Sequence, residues 1–207
     1  MPAFASALLD VLASAGKVKM PNWGTDNLTK FLQLTNSNQI GNFERFPEQY
    51  ALMRQVNDCY TKAGEYLINS KPMMTGPMFL RSQYAYKTTV GMALAGQVVE
   101  SFVMMLSCRK YAGYALVIFE DQILEDVFLK RHFYPSSMKK QKDKFRFSEV
   151  ANVISNFDQE LAKIFQEFYN RSIDFGGHPN PNAVLNALNE GLLRRHTQVC
   201  DTRYGHR

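Results

Sequence analysis

The chain has 207 residues, of which 45% are hydrophobic and 21% are charged, and its formal net charge is +5. This composition is typical of a globular protein long enough to bury a core, and it excludes a disordered chain. The three cysteines, Cys59, Cys108 and Cys200, have no CxxC or Cys/His spacing, which argues against a zinc motif and a disulfide framework and indicates a reducing, cytoplasmic compartment.

Residues 1–46 are predicted to form a helical arm. A short amphipathic helix is expected over residues 2–15, followed by a loop over 16–26. Thr25 or Asp26 can cap a second helix, which is expected to break between residues 36 and 41. The first residues lack a basic segment and include an aspartate, so we do not interpret them as a signal peptide.

The next part of the chain predicts the centre of the fold. Pro47 opens a helix with apolar residues at three- and four-residue steps, and another helix begins near Met78. Residues 90–119 are apolar on almost every face, which predicts a central helix or a helical hairpin with a break at 109–113. This stretch also contains polar and charged residues that would be costly in lipid, so we expect a core helix and no membrane span.

The C-terminal half continues the helical pattern. Residues 124–133 predict a short helix, residues 135–146 a polar connection, and residues 148–172 one long helix that ends before a Gly-Gly turn. Residues 182–190 predict a further short helix. Since no segment alternates like a strand, the sequence predicts an all-α, single-domain helical bundle, with an arm at 1–46, a core at 47–191 and a basic tail at 192–207.

Positive charge is concentrated in two segments. Residues 130–146 contain seven basic residues and one acidic residue, and residues 194–207 contain four basic residues and one acidic residue, so the remainder is net acidic. Clustered lysines often form no more than a solvated surface. The functional interpretation is a patch that faces the phosphates of a nucleic acid.

The segment from Arg171 to Asn180 contains the most unusual combination of side chains. His178 can transfer protons near neutral pH, Arg171 can hold a phosphate or stabilise an oxyanion, and Asp174 can orient the imidazole. The two glycines before His178 would give the backbone freedom to place it. A structural alternative is equally concrete: the Gly-Gly-His-Pro-Asn-Pro run can be a turn in which Asp174 caps and His178 packs.

Two further groups are candidates for binding a substrate. Gln97 and Glu100 are one turn apart in the apolar stretch, where a buried carboxylate must pair or take up a proton. Arg81 lies near Tyr84, Tyr86 and Lys87, a set that can stack on bases and contact phosphate, although an ordinary helix surface has the same composition. Phosphate-loop, dinucleotide, zinc-protease and serine-hydrolase motifs are absent, and no metal or cofactor is expected.

Several stretches together resemble a bacterial all-helical family without an assigned activity. The resemblance is carried, in order, by Arg81-x-x-Tyr84-x-Tyr86, Gly96-Gln97-Val-Val-Glu100-Ser-Phe102, Tyr111-Ala-Gly-Tyr114 and Asp174-Phe-Gly-Gly-His178-Pro-Asn180. It covers about residues 78–185. The last run matches the family's Asp-Phe-Gly-(Ala/Gly)-His-Pro-Asn signature, which adds Asn180 to the candidate site.

That family is distantly similar to the HEPN superfamily of helical bundles, many of which are metal-independent ribonucleases that act as dimers. The resemblance implies a homo-oligomer that uses an Arg and a His separated by four to six residues, and Arg171 and His178 are separated by six. By this resemblance, His178 would be the acid or base for attack by a ribose 2′-hydroxyl, and Arg171 would stabilise the phosphate. RNA would bind through the basic segments.

Two other functions fit the sequence. The chain can be a non-catalytic helical interaction module, associated with defence or with a toxin–antitoxin pair, in which the turn at His178 is structural. It can also be a bundle that binds a small ligand beside Glu100, in a pocket lined by methionine and tyrosine.

Overall fold

The computed structural model describes residues 24–177, and every regular element in this part of the chain is helical, which confirms the all-α prediction. The predicted helices over 2–15 and 182–190 and the tail at 192–207 lie outside the described residues. The elements are α1 Asn27–Arg45, α2 Pro47–Leu67, α3 Thr75–Leu94, α4 Val98–Glu120, α5 Ile123–Leu129, the 3₁₀ segment Lys130–His132, α6 Pro135–Lys144, α7 Phe147–Phe157, α8 Gln159–Ser172 and the π-helical turn Ile173–Gly177.

The first described helix begins at the predicted cap and continues past its predicted end. The Asp26 carboxylate accepts hydrogen bonds from the backbone N–H groups of Leu28 and Thr29, at 2.9 and 3.0 Å. These hydrogen bonds, those from Thr29 above all, lower the pKa of Asp26 below its usual value. The predicted break at 36–41 is wrong, because α1 continues through this segment to Arg45.

Tertiary hydrogen bonds explain why α1 continues. Its side-chain amides reach the C-terminal end of α3: Asn38 donates to the carbonyl of Ala95 at 3.1 Å, and Asn42 donates to that of Leu94 at 2.8 Å. Gln39 donates to the carbonyl of Gly91 at 3.0 Å. The last carbonyls of a helix have no partner within the helix, so these amides satisfy α3 and position α1 together.

The helical hairpin is present, but its turn lies earlier than predicted. Gly96 has a φ of 76° and ends α3. The N–H of Gln97 donates to the carbonyl of Met92 at 2.9 Å, and the N–H of Gly96 donates to that of Ala93 at 3.0 Å, which is the Schellman arrangement. The predicted break at 109–113 is wrong, because α4 runs without interruption through these residues.

The core surrounds α4, which contacts α3, α7, α8 and the π-helical turn. Ile118 is fully buried among Met78, Val117, Val150 and Ile154. Gly113 lies where α4 meets α7, and a Cβ atom at this position would be 2.5 Å from Cγ1 of Val150. The absence of a side chain at Gly113 therefore sets the close approach of the two helices.

Within the described residues, α4 is the one helix long and apolar enough to cross a membrane by length and composition alone. A core helix passes the same test, so the criterion does not distinguish the two.

Two predictions for the C-terminal half are corrected. Residues 135–146 are not an irregular connection, because Pro135–Lys144 form α6, with Gln141 and the following Phe145 each only 3% exposed. The predicted long helix over 148–172 is divided at Asp158, whose carboxylate accepts from the N–H of Leu161 at 3.0 Å and so begins α8. The glycines at 176 and 177 do not stop the helix at once, since both belong to the π-helical turn.

A buried polar cluster joins α2, α3 and α4. The Tyr60 hydroxyl lies 2.8 Å from Oγ of Ser82 and 3.2 Å from Sγ of Cys108, and the Ser82 hydroxyl donates to the carbonyl of Cys108 at 2.8 Å. Ser82 is fully buried and Cys108 is buried. The cluster satisfies its own polar atoms, which fits a structural role.

Candidate functional site

A basic cleft opens between α4, the 3₁₀ segment, α6, the start of α7 and α8, with a volume of about 290 Å³. Five basic side chains line it: Arg109, Lys110, Arg131, Lys142 and Arg146. The other described lining residues are aromatic, aliphatic or amide, and none of them is acidic. We call this site the basic cleft.

Contacts of Gln141 and Phe145 position one side of the cleft. Gln141 and Phe145 are buried, and the Phe145 ring lies edge-on to that of Tyr114 with 4.8 Å between the centroids. Because these two side chains hold one face of α6 against the bundle, the neighbouring Lys142 is left exposed at the rim. The predicted basic segment therefore turns its charge toward a cleft and not only toward bulk solvent.

Arg109 is enclosed by three aromatic rings. Its guanidinium carbon lies 4.9 Å from the ring centroid of Phe165, 5.0 Å from that of Tyr169 and 5.7 Å from that of Phe147. Nη1 donates a long hydrogen bond of 3.4 Å to the carbonyl of Phe165. Burial lowers the pKa of Arg109 to about 10, so the side chain is still a cation at neutral pH.

Two guanidinium nitrogens of the cleft are buried without a hydrogen-bond partner among the described residues. They are Nη2 of Arg109 and Nε of Arg131. Buried N–H groups without a partner are rare in proteins, and a positively charged one is especially costly. Burial also raises the pKa of the Tyr114 phenol, against the opposing effect of Arg131, so this hydroxyl stays neutral and adds no negative charge.

The basic side chains at the rim of the cleft are more exposed than those in its interior. Lys110, Lys142 and Arg146 are exposed, and Arg146 makes an ion pair with Asp143, 3.0 Å between Nη2 and Oδ1. Such an exposed pair is worth only about 0.2–1 kcal/mol. An anion at the rim can therefore replace Asp143 as the partner of Arg146 at little cost.

The motif at Arg171 lies partly within the described structure. Arg171 is exposed on α8, and its Nη2 lies 2.6 Å from Oε1 of Glu167. Asp174 is exposed in the π-helical turn, which packs against α4 by stacking Phe175 on Phe102 with 5.2 Å between the ring centroids. His178 and Asn180 lie outside the described residues, so the predicted pairing of Arg171 with His178 stays a prediction.

Gln97 and Glu100 are less buried than the sequence predicts. They do not lie inside a buried helix: Gln97 precedes the first residue of α4, and Glu100 is exposed in its first turn. The chain turns at Gly96, so the sequence position that suggested burial is a helix end. The structure therefore does not support a buried carboxylate that must pair or take up a proton.

The aromatic group on α3 is divided between surface and core. Arg81 is exposed, with its guanidinium 5.7 Å from the ring centroid of Tyr111, and Tyr84 is exposed with Lys87 over its ring. Tyr86 is buried and donates to the carbonyl of Met53 at 2.8 Å, so it is not available to stack on a base. Arg81 does not line the basic cleft.

Sequence reasoning selected the basic segment but missed Arg109, which is distant from it along the chain. The available signal was an arginine inside an otherwise apolar helix, since a buried cation of this kind needs a partner. The three rings that surround Arg109 come from α7 and α8, and only the folded chain brings them to α4.

The fold and site thus define an all-α bundle with a cation-lined cleft. Searches with the sequence and structure find no matching protein family, no similar curated protein and no similar solved structure.

Proposed function

We propose that this protein binds RNA and that the basic cleft holds the phosphates of the strand. The observation that carries the proposal is the convergence of five cations on a cleft whose described lining has no carboxylate. Phosphate contacts by Lys and Arg supply most of the sequence-independent affinity of nucleic-acid-binding proteins. A solvated lysine surface would not place an arginine among three aromatic rings, as Arg109 is placed.

Binding through the cleft predicts a particular effect of Lys142→Glu. We expect the affinity for single-stranded RNA to fall about tenfold, because one phosphate contact is replaced by repulsion. The slope of log Kd against log salt should decrease by about 0.7, the contribution of one phosphate on a single strand. Fluorescence anisotropy over a range of salt concentrations measures both quantities.

Lys62→Glu is the matched control, since Lys62 is exposed on α2, does not line the cleft, and undergoes the same change of charge. Equal losses in the two variants would mean that net charge and not the cleft determines binding. Equal affinity of the wild-type protein for a polyglutamate chain would contradict a nucleic-acid ligand.

Metal-independent RNA cleavage by a dimer is the second part of the proposal, and the exposed face of α8 supports it. Leu161, Ile164 and Phe168 follow each other at steps of three and four residues, and each is about half exposed. This spacing is typical of helices that pair with another helix. Arg171 continues the same stripe, so a second copy docked on this face would bring two Arg171 side chains together.

The catalytic assignment predicts that His178→Ala lowers RNA cleavage in EDTA by about 10²–10⁴-fold, the usual contribution of a general acid or base. Arg171→Ala should reduce cleavage as well, because its positive charge stabilises the phosphorane-like transition state. The products should end in a 2′,3′-cyclic phosphate and a 5′-hydroxyl, since the 2′-oxygen attacks phosphorus and the 5′-oxygen leaves with a proton.

Lys163→Ala serves as the control for Arg171→Ala, because Lys163 forms a comparable exposed ion pair with Glu160 on the same helix. Unchanged cleavage in both His178→Ala and Arg171→Ala would end the catalytic assignment and leave RNA binding alone. Sedimentation velocity tests the dimer: a monomer at the concentrations that cleave RNA would contradict it.

A further inference from the structure

We infer that the basic cleft recognises a terminal phosphate monoester, at the 5′ or the 3′ end of a strand, rather than the internal phosphodiester backbone. This inference rests on the proposed function and names the part of the RNA that enters the cleft. It depends on how the five cations are divided between the interior and the rim.

The interior cations fit a ligand with two negative charges. Arg109 and Arg131 both line the cleft, and each has a buried nitrogen without a partner among the described residues. Burial lowers the pKa of Arg109, and a cation partly removed from water is stabilised most by an anion of higher charge, because the attraction grows with the product of the charges. A terminal phosphate monoester carries about −1.5 to −2 charges at neutral pH and offers three oxygens as acceptors.

An internal phosphodiester fits the interior less well. It carries one charge and two free oxygens, and both of its ester oxygens continue into the strand. The cleft has a volume of about 290 Å³, and the buried residues Gln141, Phe145 and Val150 are among those that line it. A strand end can enter with its phosphate toward Arg109 and Arg131, while the exposed Lys110, Lys142 and Arg146 contact the adjoining diesters.

The three rings around Arg109 favour a phosphate over a base in the interior of the cleft. Phe147 stacks on Tyr169 with 4.0 Å between the ring centroids and on Phe165 with 5.1 Å, and all three rings also contact Arg109. These contacts hold Arg109 in place, where its guanidinium can donate hydrogen bonds to a phosphate.

The second ionisation of a phosphate monoester supplies a pH test, because its pKa is about 6 while a phosphodiester does not titrate in this range. The charged or titratable groups that line the cleft are Arg109, Lys110 and Tyr114 from α4, Arg131 from the 3₁₀ segment, Lys142 from α6, Arg146 before α7 and Tyr169 from α8. None of these residue types changes charge between about pH 5 and 7.5. His132, the neighbour of Arg131 in the 3₁₀ segment, does not line the cleft.

The experiment compares three short 2′-O-methyl RNAs of one sequence, which the proposed 2′-hydroxyl chemistry cannot cleave. One carries a 5′-phosphate, one a 3′-phosphate, and one has hydroxyl groups at both ends. We expect one phosphorylated strand to bind the wild-type protein about tenfold more tightly than the hydroxyl-ended strand at pH 7.5, and the preference to become smaller near pH 5, where the monoester keeps only one negative charge. Arg131→Met should reduce the affinity for the phosphorylated strand more than that for the hydroxyl-ended strand.

Equal binding of all three strands, with a normal salt dependence, would overturn this inference and leave the proposed function intact. A preference as large at pH 5 as at pH 7.5 would also overturn it. Displacement of the labelled strand by a nucleoside monophosphate but not by its nucleoside supports the inference directly. If RNA itself does not bind, the proposed function fails, and heat stabilisation of the wild-type protein by the same monophosphate but not by the nucleoside decides whether the cleft is a phosphate receptor.

Discussion

Arg109→Met is expected to weaken RNA binding at least tenfold while leaving the free energy of unfolding within about 1 kcal/mol of the wild-type value. The half-buried Arg109 guanidinium lies among three rings, and burial lowers its pKa to about 10, so its charge is stabilised less well than in water. Replacing a buried charge by a flexible apolar side chain of similar length is often neutral or stabilising. RNA binding should respond differently from stability, because the Arg109→Met variant removes a positive charge from the cleft.

The two quantities are measured separately, by urea unfolding and by anisotropy with RNA. Arg45→Met is the matched control, because the Arg45 guanidinium also lies over a ring, 5.3 Å from the centroid of Phe46, but the residue is exposed and does not line the cleft. A loss of several kcal/mol of stability in Arg109→Met with unchanged RNA affinity would assign Arg109 to the core. Equal losses of affinity in both variants would argue against a role for the cleft.

Local sequence signals were sufficient where one helix face is apolar and its ends are marked. Pro47 begins α2 as predicted, and Asp26 caps α1. The ends that sequence reasoning misplaced are set by other parts of the chain. The predicted break at 36–41 is absent because Asn38 and Asn42 bond to carbonyls at the end of α3, more than fifty residues away.

The apolar stretch over 90–119 shows a related difficulty. With almost every face apolar, periodicity could not locate the turn, and the sequence prediction placed the break at 109–113. Gly96 ends α3 with a positive φ, whereas Gly113 remains helical and lies against Val150. The two glycines have the same chemistry, and only the tertiary packing around each distinguishes a helix end from a close contact.

Only part of the candidate site could be predicted, because tertiary packing also decides which residues form it. The charge of residues 130–146 was evident from composition, but their helical structure was not, because α6 has few apolar residues and is held by Gln141 and Phe145. Its convergence with Arg109 depends on contacts among α4, α6, α7 and α8. The sequence therefore indicates the positive charge of residues 130–146, but it does not indicate that Arg109 lies beside them.

Gly113→Ala is expected to destabilise the protein by about 1–2 kcal/mol, although alanine is the better helix former by about 1 kcal/mol. The added Cβ would be 2.5 Å from Cγ1 of Val150 and 3.5 Å from its Cγ2. Val150 is only 4% exposed and belongs to the cluster around Ile118, so its side chain is held by packing. The helices α4 and α7 must then separate, which costs more packing energy than the backbone gains.

Gly64→Ala is the control that isolates the packing effect. Gly64 lies inside α2, and a Cβ atom there would meet nothing within 4 Å, so this variant should gain about 1 kcal/mol of stability from helix propensity alone. The two glycine-to-alanine changes should thus shift the urea midpoint in opposite directions. Val150→Ala in the Gly113→Ala background should cost less than it does in the wild-type protein, because it removes the atoms that clash. Equal shifts in the two glycine variants, or strictly additive effects at 113 and 150, would mean that α4 and α7 do not meet at this contact, and the wall that both helices contribute to the basic cleft would have to be placed differently.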